Sequence, residues 1–359
     1  MKNNVLVVGT GTIGEPLIGL LARLKEDFGI DNVYFHKRTP LDYEVAKVNS
    51  LVDQGAKLVV NEDCMQSFKF FGHEPTLDFH SALVDSSVVI DCTPAGNKNK
   101  DEHYLGMNSY IKNKTFIAQG SEKGFGVPYA HGINDEVLTN PLSPPFIQVV
   151  SCNTHAISRI IKSLDPNLDR GITSGDFVCI RRANDASQDS GFTPSPQCGS
   201  HSDEKFGTHH ARDVYDLLST VKKPSFSLMS SAMKVNSQYM HVIRFQIQTK
   251  EKNLEYKDVM QRFKSDPFVS ITKHTTANKV FSFGRDHGFY GRIYNQAVIC
   301  EPSIQVMNHD HGSTINGFSF TPQDGNSLLS SISAGLYGLY KDDYVDYLKH
   351  FHQFLKERI

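Results

Sequence analysis

Residues 4–8, NVLVV, are a continuous apolar run of the kind a buried parallel strand needs. GTGTIG follows at once, and then EPLIGLLARLKEDFG, in which Leu17, Leu20, Leu21 and Leu24 recur at helical spacing. A second strand is read over 32–36, NVYFH. ALVDSSVVIDCTPAG (82–96) reads as a helix end, an apolar strand and a turn at Pro94 and Gly96. KTFIAQGSEKG (114–124) again closes a strand in a polar, glycine-containing loop. FIQVV then leads into Cys152, after which Ala156, Ile157, Ile160, Ile161 and Leu164 mark an amphipathic helix. Strand and helix signals alternating to about residue 150 predict a doubly wound, Rossmann-type α/β domain over residues 1–151.

Beyond that point the pattern changes. Strands around 226–249 and 296–307 predict an α+β catalytic domain (152–318) built on a mostly antiparallel sheet. DVYDLL (213–218) starts a helix, and helical spacing runs through the tail from Asn326. That tail, in a segment 319–359, is expected to pack back on the nucleotide-binding domain. Between these elements lies ANDASQDSGFTPSPQCGSHSDEKFG, a polar stretch whose length reads as either functional or disordered.

Composition narrows the class. A chain of 359 residues with 39% hydrophobic and 21% charged content is an ordinary globular protein of two or three units. The formal net charge of −2, without basic blocks, predicts no nucleic-acid or anionic-membrane partner. No apolar run reaches the length of a membrane span. MKNNVLVVGTG enters structure so early that no leader peptide is expected. Six cysteines without a C-x-x-C pair suggest neither a disulfide framework nor a zinc site, and a cytoplasmic home is expected.

Gly9, Gly11 and Gly14 sit in strand–turn–helix context, where a G-x-G-x-x-G match has physical content. It gives a tight turn, close backbone approach to a pyrophosphate, and a helix N-terminus offering N–H groups. A purely structural glycine turn is the bland alternative. After the second strand stand Lys37, Arg38 and Thr39, where a reader of an unphosphorylated ribose usually carries Asp or Glu. Two cations and a hydroxyl suit a 2′-phosphate, so NADP is favoured over NAD; a solvated basic turn is the alternative. Thr93, Pro94, Gln119 and Gly120 lie at ends of parallel strands and are candidates for the nicotinamide and ribose.

Cys152 is the candidate nucleophile. A thiol in the first turn of a helix feels the positive end of the dipole, which favours thiolate. Cys179 and Cys300, in apolar strand-like runs, read instead as core thiols. Asn153 and Thr154 are equally suited to capping the helix.

GTGTIGEPL, VIDCTPAG, AQGSEKG and VVSCNT, in this order and spacing, resemble the archaeal (class II) glyceraldehyde-3-phosphate dehydrogenases. FVCIRRAND, FGTHHARDV and NSQYMHVIRFQI continue the likeness, which is loose over 40–80 and 250–359. The resemblance implies that Cys152 is the nucleophile and His241 the catalytic histidine, with Ser151 and Asn153 holding substrate. His209 and His210 match a pair near the substrate phosphate, to which Arg212 adds a cation; a metal pair is the less economical reading, and no metal is expected. Thr12, Ile13 and Gly120 match cofactor contacts, as does one of Arg181 and Arg182, with Arg181 favoured; Gln323 matches a glutamine near the nicotinamide. The family usually has Thr-Gly at His155 and Ala156, Gly-Pro at Ala211 and Arg212, and a second histidine at Ile243. His155 is therefore a competing base.

The implied reaction is NAD(P)-dependent, phosphorylating oxidation of glyceraldehyde 3-phosphate through a thioacyl intermediate on Cys152. A homotetramer is implied, with the long polar loop reaching a neighbouring subunit. A related acyl-phosphate or semialdehyde reductase would need an arginine clamp for a carboxylate, from Arg212 or Arg244. A catalytically silent NADP-sensing protein is the third reading.

Overall fold

The run NVLVV becomes β1 (Asn4–Val8), buried along its whole length because it lies between two parallel neighbours. The computed structural model describes residues 2–107, 114–120, 122–139, 145–184, 191, 193–322 and 324–359. In it the chain forms two compact units. The first comprises Met1–Tyr129, Glu136–Val149 and Leu328–His352; the second comprises Ala130–Asp135, Val150–Ser327 and Gln353–Ile359.

The first unit is an eight-stranded sheet in the order β4-β3-β2-β1-β5-β6-β8-β7. Its strands are β1, β2 (Asn32–His36), β3 (Lys57–Val60), β4 (Leu77–Asp78), β5 (Val88–Asp91), β6 (Thr115–Gln119), β7 (Val127–Tyr129) and β8 (Phe146–Val149). All its pairings are parallel. The chain steps outward from β1 to β4 and then returns to place β5 against the other side of β1. That reversal opens a crevice at the carboxyl ends of β1 and β5, where α/β sheets bind ligands.

The second unit is a mixed sheet in the order β10-β11-β9-β12-β16-β14-β13, with β15 on β16. Its strands are β9 (Ile172–Arg181), β10 (Gln197–Cys198), β11 (Ser227–Lys234), β12 (His241–Thr249), β13 (Val269–Thr272), β14 (Ala297–Cys300), β15 (Gln305–His309) and β16 (Gly312–Thr321). Only β9–β11 and β13–β14 pair in parallel. The rest are antiparallel, as the sequence predicts. The helix Cys152–Leu164 lays Ile157, Ile160 and Ile161 on the face of this sheet that carries Phe177, Cys179, Ile243, Phe245 and Ile247.

Three expectations about elements are corrected. The helix predicted from Asp213 begins at His209. The Ser230 hydroxyl, from β11, accepts the Ala211 N–H at 2.9 Å, so the helix end is satisfied by a distant strand rather than by a local cap. The boundary at 318/319 falls inside β16, whose buried positions Ser313, Thr314, Ser319 and Thr321 carry no apolar signal. In the tail, only Leu328–His352 belongs to the first unit; Ile359 donates its N–H to the Ile271 carbonyl of β13 at 3.0 Å. Among the described residues no helix is long and apolar enough to cross a membrane.

Candidate functional site

The glycine loop has the geometry its spacing promises. Gly9 takes φ +95, a conformation glycine tolerates and most residues do not, and a Cβ there would lie 2.9 Å from Thr93 Cγ2. A Cβ on Gly14 would sit 2.1 Å from the Gly9 carbonyl oxygen, so strand and helix approach as only glycine allows. Gly11 has open space around it. The helix Gly14–Arg23 begins after Ile13 without a side-chain cap, and its Glu15 N–H donates to the Gly11 carbonyl of the loop at 3.0 Å.

Above the loop lies a cavity of about 610 Å³, lined by Gly9, Thr10, Lys37, Arg38, Thr39, Thr93 and Pro94. Its volume falls in the ordinary range for a small-molecule site. Thr93 is held rigidly, because its N–H and hydroxyl both donate to Asp91 Oδ1 at 2.9 and 2.6 Å. Asn99 and Tyr104 complete the shell of that buried carboxylate at 2.7 and 2.6 Å, so Asp91 fixes the whole 92–99 loop. Sequence reading missed Asp91, although an acid ending an apolar strand ahead of Thr-Pro was visible.

The two predicted cations differ. Lys37 is 6% exposed and its ammonium is engaged by Glu44. Burial raises the Glu44 carboxyl, but Lys37 and Lys47 outweigh it and hold the group below its ordinary range. Arg38 and Thr39 are exposed, and Lys98 faces them across the cavity. Gln119 is buried and donates to Ser331 at 2.7 Å, a structural tie rather than an exposed contact. Gly120 takes φ +65 and hydrogen-bonds to Val149 and Gln148 of β8. Gln323 lies outside the described residues.

In the second unit Cys152 is the first residue of its helix, half-buried, behind the N-cap Ser151. Ser151 Oγ accepts from the Thr154 N–H at 3.3 Å. Cys152 Sγ lies 3.9 Å from His241 Nδ1, and Asn153 Oδ1 lies 3.1 Å from the same nitrogen. β12 begins at His241, and its alternation puts that ring on the face of Ile243 and Phe245, toward the helix. Asn326, fully buried, donates to the Cys152 carbonyl at 3.0 Å and so fixes the nucleophile's backbone. No local signal marks that contact. By contrast Cys179 is buried, and burial pushes its thiol up to about 12.

His155 does not face the thiol. Its ring is 0% exposed, with Nδ1 3.0 Å from the Ser151 carbonyl oxygen, so Nδ1 carries the hydrogen and donates it backwards into the helix turn. Burial lowers its pKa to about 4, which removes it as a base for a substrate outside. The sequence-based expectation of a competing base is corrected on that ground.

At the other helix end, His209 is exposed while His210 is 4% exposed, their ring centroids 4.0 Å apart. Neither ring nitrogen of His210 has a hydrogen-bond partner among the described residues. Burial, then His209, Arg181 and His241, lower its pKa to about 3. Arg212 forms a two-pronged ion pair with Asp203, which answers its charge and draws it away from the anion-binding role read from sequence. Arg182 is buried, with a bond to the Tyr239 carbonyl at 3.4 Å, whereas Arg181 is exposed at the end of β9. Arg244 lies on the face of β12 opposite Ile243, bonded to Gln246 at 2.7 Å. Neither arginine suggested as a carboxylate clamp is free at the thiol.

The buried imidazoles set an acid limit. His36 and His155 are lowered to about 4, in both cases chiefly by burial, and the unfolded chain restores about 6.5. The unfolded state then binds more protons between roughly pH 6.5 and 4, so this stability is complete above the window and lost as pH falls through it. At pH 5 the loss is on the order of 2 kcal/mol for each ring. Thermal melts are expected to show a Tm that is level above pH 7 and declines toward pH 5. A Tm rising on acidification would show that these rings are not neutral in the fold.

No protein-family model matches the chain. It is similar to curated proteins named glyceraldehyde-3-phosphate dehydrogenase. The one from Sulfolobus acidocaldarius is 26% identical over 323 residues, spanning 86% of this chain and 85% of the relative. That of Methanocaldococcus jannaschii is 24% identical over 330 residues, spanning 86% and 87%. That of Pyrobaculum calidifontis is 28% identical over 322 residues, spanning 85% and 84%.

Proposed function

We propose that the protein is a phosphorylating, nicotinamide-dependent aldehyde dehydrogenase that acts on glyceraldehyde 3-phosphate, reversibly, through a thioacyl intermediate on Cys152. The observation that carries this reading is a thiol at a helix N-terminus with His241 Nδ1 3.9 Å from its sulfur. The names of the relatives supply the substrate.

The crowded Gly9–Gly14 contact fits a dinucleotide, since it keeps side chains away from the backbone that would cradle a pyrophosphate. When bound there by Gly9, Gly11, Thr12, Ile13, Gly14, Thr93 and Pro94, that cofactor would supply the two-electron acceptor. The chain's own groups do the rest. Cys152 thiolate adds to the aldehyde carbon, forming a C–S bond and an alkoxide that takes a proton. With Asn153 Oδ1 accepting, His241 Nδ1 carries hydrogen and its Nε2 holds the lone pair that removes the hydroxyl proton during oxidation. Inorganic phosphate then attacks the thioester carbon, a C–O bond replaces the C–S bond, and Cys152 leaves as thiolate. The Cys152 N–H, in the first turn of its helix, is the group proposed to steady the oxyanion.

NADP is the favoured cofactor and NAD the alternative, with Arg38 rather than Lys37 as the cation for a 2′-phosphate, because Glu44 already neutralises Lys37. The same reading makes the protein a cytoplasmic homotetramer. Purified protein given glyceraldehyde 3-phosphate is expected to sustain NADP reduction beyond a single turnover only when phosphate or arsenate is present. Arg38→Ala is expected to raise KM for NADP about tenfold and to leave NAD nearly unchanged. Equal losses with both cofactors would reduce the turn to a solvated basic loop, and phosphate-independent turnover would overturn the reaction.

A further inference from the structure

Cys152 and Asn153 share a peptide unit, and both of their side chains meet the same nitrogen. His241 Nδ1 lies 3.9 Å from Cys152 Sγ and 3.1 Å from Asn153 Oδ1. The peptide is planar, so a group that grips its carbonyl oxygen constrains the direction of both side chains together. That carbonyl already begins the hydrogen-bond ladder of the helix Cys152–Leu164. Its second lone pair takes Asn326 Nδ2 at 3.0 Å.

Asn326 is itself held from behind. It is fully buried, and the same amide nitrogen donates to the Gln296 carbonyl at 3.4 Å. A Cβ on Gly325 would lie 1.7 Å from the Ile293 carbonyl oxygen, so the chain entering Asn326 rests directly on the segment that leads to Gln296. Gln296, also fully buried, accepts from Arg159 Nε at 2.7 Å and donates to the His131 carbonyl at 2.6 Å. Arg159 stands about two turns along the helix from Cys152 and pairs with Asp266 at 3.2 Å. The helix is thus tied to Gln296 at two points, through Asn326 at its first carbonyl and through Arg159 further on. Such a network favours one geometry, because a shift leaves buried polar groups unpaired in a low-dielectric interior.

We propose that Asn326 is a positioning residue for the reaction: by holding the Cys152 carbonyl it sets the thiol and Asn153 together against His241. The proposal rests on the reaction proposed above and adds the residue that aligns its nucleophile. It also accounts for an amide at this place. Aspartate has the same shape but no hydrogen to give when ionised, and it would face the carbonyl oxygens of Cys152 and Gln296.

The test compares wild type with Asn326→Asp and Asn326→Ser in two measurements, steady-state kinetics and the rate at which iodoacetamide labels Cys152 at neutral pH, read by peptide mass. Asn326→Asp is expected to lower kcat about tenfold or more while KM for the aldehyde moves less than about threefold. Labelling of Cys152 should slow in parallel, which a loss of stability alone would not produce in folded protein. Asn326→Ser keeps a donor on a shorter side chain and should lose less of both. If thermal melts show that Asn326→Asp is unfolded, the same two readouts in Asn326→Ser decide. Wild-type kcat and labelling in a folded variant overturn the proposal. A higher KM for NADP with kcat and labelling unchanged also overturns it, since Asn326 would then be a cofactor contact. If the wild type shows no phosphate-dependent turnover, the reaction itself falls. The labelling rate then decides the positioning role alone: slower labelling supports it and an unchanged rate removes it.

Discussion

Cys152→Ala is expected to abolish NADP reduction, to below one part in about 10⁴ of the wild-type rate. The thioacyl bond has one available sulfur in this arrangement. Cys179, on the next strand face, is buried, with its thiol pushed up to about 12, so it cannot substitute at neutral pH. Cys300 is buried in β14. Fold and cofactor binding are expected to survive, because Ser151 and Asn326 hold the helix start through backbone and cap contacts that do not use the sulfur. Fluorescence titration with NADP checks that the loss is chemical. Iodoacetamide should label Cys152 of the wild type with a pH midpoint below the roughly 8.5 of a free thiol.

His241→Asn is expected to lower kcat by about 10²–10⁴ while aldehyde binding persists, the usual contribution of a positioned proton acceptor. The imidazole also sits 3.9 Å from the sulfur, so the alkylation midpoint should move upward when the ring is removed. The paired measurement separates two roles: a fall in kcat without a change in alkylation would make His241 a base for substrate only. His155→Asn is expected to change neither, because its ring is buried and turned to the Ser151 carbonyl. A loss of kcat in His155→Asn matching that of His241→Asn would contradict the geometry of the site.

What was legible in the sequence is what local spacing encodes. NVLVV and NVYFH became β1 and β2 at the bounds their apolar runs mark. Cys152 opens its helix because an extended residue with a capping hydroxyl, Ser151, precedes it, and that signal is local. What remained hidden depends on partners far along the chain. Glu44 takes the charge of Lys37 and Asp203 that of Arg212, so residue types alone overstated the free cations. The His209 helix starts early because Ser230 caps it from β11. Asn326 reaches Cys152 across more than a hundred residues, and nothing in TPQDGN announces it. β16 was obscured because several of its buried positions are Ser or Thr, of which Ser313 donates to the Glu251 carbonyl and Ser319 to the Val298 carbonyl.

The central claim is that oxidation and acyl transfer are separate steps joined by a covalent bond to Cys152. A single-turnover experiment tests it directly: enzyme, excess glyceraldehyde 3-phosphate and NADP, with phosphate and arsenate rigorously removed. The expected result is a burst of one NADPH per active site, no further turnover, and an acyl mass on the Cys152 peptide that disappears when phosphate is added. Sustained turnover without phosphate, or a full burst with Cys152 unmodified, would contradict it.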